Sequence, residues 1–121
     1  MKTDKREQIL TRATELFFAK GVAAVSMDEI AAAVPAAKMT VYKYFRSKEQ
    51  LVGAVMDRYV REQHDIMNRK IRESPDTLSA LASILDYRNM PVVPELFIRE
   101  SVELYPQIVA DLLQYYRLHI H

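Results

Sequence analysis

Two tyrosines and three lysines stand close together in one short stretch. Tyr42 and Tyr44 lie within Lys38-Met39-Thr40-Val41-Tyr42-Lys43-Tyr44-Phe45, and Lys48 follows three residues later. A phenol donates one hydrogen bond and an ammonium three, so the cluster is a donor set for anionic oxygen. Residues two apart on a helix point in different directions, so at least one of the two tyrosines should be exposed. Ordinary amphipathic packing is the competing reading for this pair. The lysines at 38, 43 and 48 favour contact with a polyanionic backbone.

Other chemistries find little material. The 121 residues contain no cysteine, which removes disulfides, thiolate metal sites and cysteine nucleophiles together. They contain only two glycines, Gly21 and Gly53, too few for a dinucleotide fingerprint or a phosphate-cradling loop. No GxSxG, HExxH or carboxylate pair singled out by spacing is present, so the expectation is that the chain is not an enzyme and carries no cofactor. His119 and His121 are two apart and do not share a helical face, so no metal site is expected. No apolar run approaches the roughly 20 residues of a membrane span, and the N-terminus lacks a signal-peptide core. The expected setting is cytoplasmic, with no membrane partner.

Charge is divided unevenly. Residues 1–48 carry nine basic and five acidic groups, and residues 49–121 carry eight and eleven, so a front of +4 precedes a rear of −3. Such a division directs only the front toward a polyanion, although the imbalance is modest enough for an ordinary solvated surface.

The elements that would hold the cluster are legible from spacing. Ile9, Leu10, Ala13, Leu16 and Phe17 write an amphipathic helix from about Asp4 to Lys20, ended by Gly21. Ser26-Met27-Asp28-Glu29 reads as a capping box, with the Ser26 hydroxyl on the Glu29 amide and Glu29 reaching back. It opens a short helix, Met27 to Ala33, interrupted by Pro35. A third helix covers about Ala37 to Phe45, with Val41 and Phe45 in the core. Ser47 and Gln50 form a second capping box for a long helix to about Glu73. Thr77 to Arg88, Pro94 to Leu104 and Pro106 to about His119 follow as helices, with a break at Asn89-Met90-Pro91. The chain reads as all-α: a three-helix helix-turn-helix, a long connecting helix and a short helical C-terminal region. The last helix carries Ile108, Leu112, Tyr115 and Tyr116, for which three readings stand: an existing groove takes them, a second chain takes them, or the protein is cut short.

In order and spacing, Ile9-Leu10 with Ala13, Leu16-Phe17 and Gly21, then Ser26 to Ala31, Lys38 to Phe45 and Ser47 to Leu51 resemble the TetR family of bacterial transcriptional repressors. Residues 52–121 resemble it only in being helical. The resemblance implies a DNA-binding domain over residues 1–48 and a partial ligand-sensing and dimerisation region over 49–121. It implies a homodimer on double-stranded DNA with a palindromic operator, and a small-molecule inducer as effector. The third helix would be the recognition helix in the major groove. Ser26, Lys38, Met39, Thr40, Tyr42, Lys43, Tyr44 and Lys48 then become the DNA-binding set, with Lys48 and its helix's free amides at one phosphate. His64 stands where the family's sensor pocket begins. His64, Met67, Tyr87 and Phe97 are the candidate effector contacts, with Met90 and Tyr105 as further wall residues; plain core packing is the alternative for the aromatic and methionine positions.

Two positions depart from the family pattern. Pro35 stands where the turn between helices two and three usually has glycine, so the turn must differ locally or the second helix must end a residue early. Ala37 stands where a hydroxyl usually caps the recognition helix, which removes about 1 kcal/mol of capping. The family's dimer helices lie beyond residue 121, so a shortened member is expected. A helical protein-interaction module, binding a partner through its rear apolar face, is the second reading.

Overall fold

The computed structural model describes residues 4–86 and 94–119. Seven helices run through the described residues: α1 (Lys5–Lys20), α2 (Met27–Ala32), α3 (Lys38–Tyr44), α4 (Lys48–Glu73), α5 (Thr77–Ile84), α6 (Glu95–Leu104) and α7 (Pro106–His119). No strand occurs among them. Among the described residues no helix is long and apolar enough to cross a membrane. The chain forms two compact units, one of residues 1–57 with 94–121 and one of residues 58–93, and α4 contributes to both.

In the first unit, α1 is capped by Asp4, whose carboxylate accepts from the Arg6 amide at 3.0 Å. It ends at Gly21, where φ is +85°. Ile9, Ala13 and Phe17, spaced three to four residues apart, are wholly buried and form the stripe on which α2 and α3 pack. Val22, Val25, Ile30 and Val41 complete this core together with Leu51 and Val52 at the start of α4.

α6 packs against α1. The Phe97 ring stacks on Phe17 at 5.8 Å between centroids and meets Phe18 at 5.3 Å, in the range where aromatic pairs attract. Ser101, the one buried polar residue among those described, donates its hydroxyl to the Phe97 carbonyl at 2.7 Å and so leaves no unmet donor. α7 finds part of its cover on α4. Ile108 lies so close to Gly53 that a Cβ there would come within 3.0 Å of its methyl, and the Tyr116 hydroxyl donates to the Asp57 carboxylate at 2.7 Å. Leu113 and Leu118 remain exposed.

In the second unit, the rear turns of α4 lead through Ser74-Pro75 to α5, capped by Asp76 accepting from the Ser79 amide at 2.7 Å. The expected helix from Thr77 to Arg88 is shorter than the spacing predicts and stops at Ile84. No residue of α5 is buried, so tertiary packing does not prolong an eight-residue segment that is marginal by itself. The expected break at 89–91 lies outside the described residues.

The turn at Pro35 resolves one of the two departures. α2 ends at Ala32, one residue short of expectation, with Ala33 as a right-handed C-cap. The Ala36 amide then bonds the Val34 carbonyl at 2.9 Å, and the Lys5 ammonium donates to the Pro35 carbonyl at 2.9 Å. No non-glycine residue among those described takes a positive φ, so the turn forms without the left-handed step that glycine would supply.

Candidate nucleic-acid interface

α3 is built on two inward anchors. Val41 is wholly buried and Phe45, four residues on, is 3% exposed, and between them they turn the rest of the helix outward. Lys38, Met39, Tyr42, Lys43 and Tyr44 are all exposed, Met39 at 85%, while Thr40 is half-buried. Arg6 of α1 lies over the Phe45 ring, 5.1 Å from its centroid, and braces the C-terminal end of α3. Both phenols of the cluster therefore reach solvent from one short helix.

The lysines of α3 are not equivalent. The Lys38 ammonium lies 2.7 Å from a carboxylate oxygen of Asp28 on α2 and 6.0 Å from the Tyr42 ring centroid. Its hydrogen bond to Asp28, reinforced by that residue's charge, raises its pKa above the ordinary lysine value. Lys43 sits 5.9 Å from the Tyr44 ring centroid. The N-cap residue Ala37 makes no side-chain hydrogen bond, although its backbone, φ −66° and ψ 149°, is in the capping conformation. The sequence expectation of an uncapped α3 is met.

At α2, the Ser26 oxygen accepts from the Glu29 amide at 3.0 Å as the capping box requires. The reciprocal half is a correction. The Glu29 carboxylate pairs with Lys20 at the end of α1, at 2.6 Å, because an ammonium within reach outcompetes a neutral amide. At α4, Ser47 accepts from the Gln50 amide at 3.1 Å, while Gln50 accepts from the amide of Arg46, one residue before the expected donor.

Lys48 opens α4 but is half-buried. Burial lowers its pKa below the ordinary lysine value, and the carboxylate of Glu100 on α6 partly offsets the fall. Glu100 also accepts from the Val22 amide at 2.9 Å. Reasoning from sequence missed both Asp28 and Glu100 as partners of the lysines. Asp28 was visible as a first-turn acid, but nothing in spacing tells that the turn at Pro35 returns Lys38 to it. Glu100 lies 78 residues from Val22, beyond any local signal. Arg46, exposed between α3 and α4, is a further cation beside the set.

The expected effector contacts are drawn from both compact units. Phe97 is 1% exposed and belongs to the core of the first unit. His64 is half-buried in the second unit with Nε2 at 3.0 Å from the Asn68 amide nitrogen, and Met67 is exposed there. A groove of roughly 340 Å³ on the same stretch of α4 is lined by Asp65, Asn68, Arg69, Ile71 and Arg72. Tyr105 is half-buried and caps the C-terminus of α6. Tyr87, Met90 and His121 lie outside the described residues.

Comparison with known proteins agrees with this geometry. Residues 9–55, from the first core residue of α1 into α4, match the family described as bacterial regulatory proteins, tetR family. The HTH-type transcriptional regulator YhgD of Bacillus subtilis is 25% identical over 118 residues, 94% of this chain and 62% of its own length. The HTH-type transcriptional activator FasR of Mycolicibacterium smegmatis is 31% identical over 85 residues, 70% of this chain and 39% of its own. The HTH-type transcriptional repressor Rv3405c of Mycobacterium tuberculosis is 47% identical over 49 residues, 40% of this chain and 26% of its own. The chain thus spans between about a quarter and three-fifths of the length of these relatives, all named for transcriptional regulation and none for a reaction. No solved structure matches it. With α2 and α3 as its helix-turn-helix, the stretch of residues 9–55 belongs to the tetR family of bacterial regulatory proteins.

Proposed function

We propose that the protein is a ligand-responsive repressor that binds a palindromic operator as a homodimer in the cytoplasm. Residues 1–48 act as the DNA-binding head and residues 49–121 serve sensing and dimerisation. The observation that carries the reading is the outward face of α3, where two phenols, two ammoniums and Met39 are exposed over buried Val41 and Phe45. α3 lies in the major groove, with Lys38, Met39 and Thr40 at base edges and near phosphates. Tyr42, Lys43, Tyr44 and Lys48 hold the backbone, and Ser26 adds a hydroxyl contact from the start of α2.

Two copies place their α3 helices in successive grooves about 34–36 Å apart. A small molecule bound behind the head, near His64 and Met67, weakens DNA binding by changing that separation, provided it binds the two states unequally. One matched relative is named an activator and another a repressor, so the sign of regulation rests here on the simplest outcome, occlusion of a promoter.

Selection of bound sequences from a random duplex pool, with sedimentation of the recovered complexes, tests the reading. Two-fold related half-sites one helical turn apart, bound by two chains, are expected. A monomer with no enrichment at low salt would overturn it in favour of a protein-interaction module.

A further inference from the structure

Resting on the DNA-binding reading above, we propose that Asp28 is a specificity-determining residue, which acts by holding a tethered counter-charge on Lys38.

Asp28 is the second residue of α2 and Lys38 the first of α3. Their side chains meet at 2.7 Å, yet they are 70% and 62% exposed. An ion pair this open holds weakly and is no structural strut. It leaves the Lys38 ammonium free to exchange its partner while keeping the carboxylate fixed beside it. Lys43 offers an internal contrast: among the described residues it carries no ion pair, and its neighbour is the Tyr44 ring.

A free lysine that neutralises a DNA phosphate releases a condensed counterion, and that release drives sequence-independent binding. Lys38 cannot give the full effect. When a phosphate takes its ammonium, the Asp28 carboxylate stays within a few ångströms, repels the phosphate and recruits a cation of its own. The local charge of the pair is zero before contact, so the phosphate gains little from it. A guanine edge differs, because O6 and N7 are neutral acceptors and a neighbouring carboxylate opposes them far less. Asp28 therefore steers Lys38 away from phosphates and toward base edges. It lowers binding to arbitrary duplex more than binding to the operator, and specificity is the ratio of the two.

The experiment uses the full chain and a mixed-sequence 30-base-pair duplex, with fluorescence anisotropy from 50 to 200 mM KCl. D28N should steepen the slope of log affinity against log salt by about 0.9, so its advantage over the unmodified chain grows about threefold on going from 200 to 50 mM. K43Q should flatten the slope by about as much, and K38Q should change it little. In a K38Q background most of the D28N effect should vanish. D28S, which keeps a short polar residue in the first turn of α2, replaces D28N if circular dichroism shows lost helix.

An unmodified chain that binds duplex while D28N or D28S keeps its slope overturns this proposal alone. An equal D28N effect with and without Lys38 also overturns it, since Asp28 would then act as a bare repulsive charge. An unmodified chain without duplex affinity at 50 mM overturns the DNA-binding reading and this proposal with it.

Discussion

The carboxylate of Glu100 on α6 accepts a hydrogen bond from the backbone amide of Val22, at 2.9 Å across 78 residues of chain. It reaches that amide over Gly21. A Cβ at Gly21 would collide with the Glu100 carboxylate and approach Leu96 to 2.8 Å, in a backbone conformation that side chains rarely adopt. The end of α1, the loop to α2 and the middle of α6 therefore close on one point. The same carboxylate supports the charge of Lys48.

Removing that acceptor should be costly. E100A leaves the part-buried Val22 amide unpaired and is expected to destabilise the fold by about 1–3 kcal/mol. E100Q keeps an oxygen acceptor and should lose less than half of that. Urea unfolding of the two variants checks the order, and equal losses would show that charge rather than the hydrogen bond is what matters.

The missing cap of α3 can be restored. Ala37 already has extended dihedrals, and its carbonyl accepts from Thr40 and Val41 at 2.9 and 3.2 Å. A37S should place an oxygen on a free amide of the first turn and stabilise the protein by about 1 kcal/mol. The thermal midpoint should rise by a few degrees, and an unchanged or lower midpoint would mean that the first turn of α3 cannot accept the cap.

Tyr42 and Tyr44 are 36% and 38% exposed, so their hydroxyls are dispensable for folding. Y42F and Y44F each remove one hydrogen bond to a charged oxygen. Duplex affinity should fall about tenfold for each, with the melting temperature unchanged. Unaltered affinity in both would remove the phenols from the contact set.

The cap of α5 should respond to acid. Hydrogen bonds from Ser79, its amide first, hold the Asp76 pKa below the ordinary carboxylate value. A lowered folded pKa means that the cap's contribution is complete above the unfolded value, about 3.9, and is lost as pH falls through the lower folded one. The Ser79 amide resonance should titrate in that acidic window, and D76A should abolish the titration.

The helices of the head were legible from local patterning alone. The apolar stripe of α1, the Ser26 and Ser47 caps, the anchors Val41 and Phe45 and the outward donors of α3 all follow from 3.6-residue periodicity and side-chain chemistry, which act within a few residues. The early end of α2 was half legible, because proline at 35 forbids the usual turn but does not say which alternative the backbone takes.

Packing between helices set the partners of the charges. Asp28 holds Lys38, Lys20 draws Glu29 out of its capping box, and Glu100 half-covers Lys48. It also decided that Phe97 stacks on Phe17 in the core of the first unit. Those outcomes depend on side chains brought together across helices by packing. Dispersion falls off over a few ångströms and screened Coulomb attraction over about 10 Å, so distance along the chain carries no record of either.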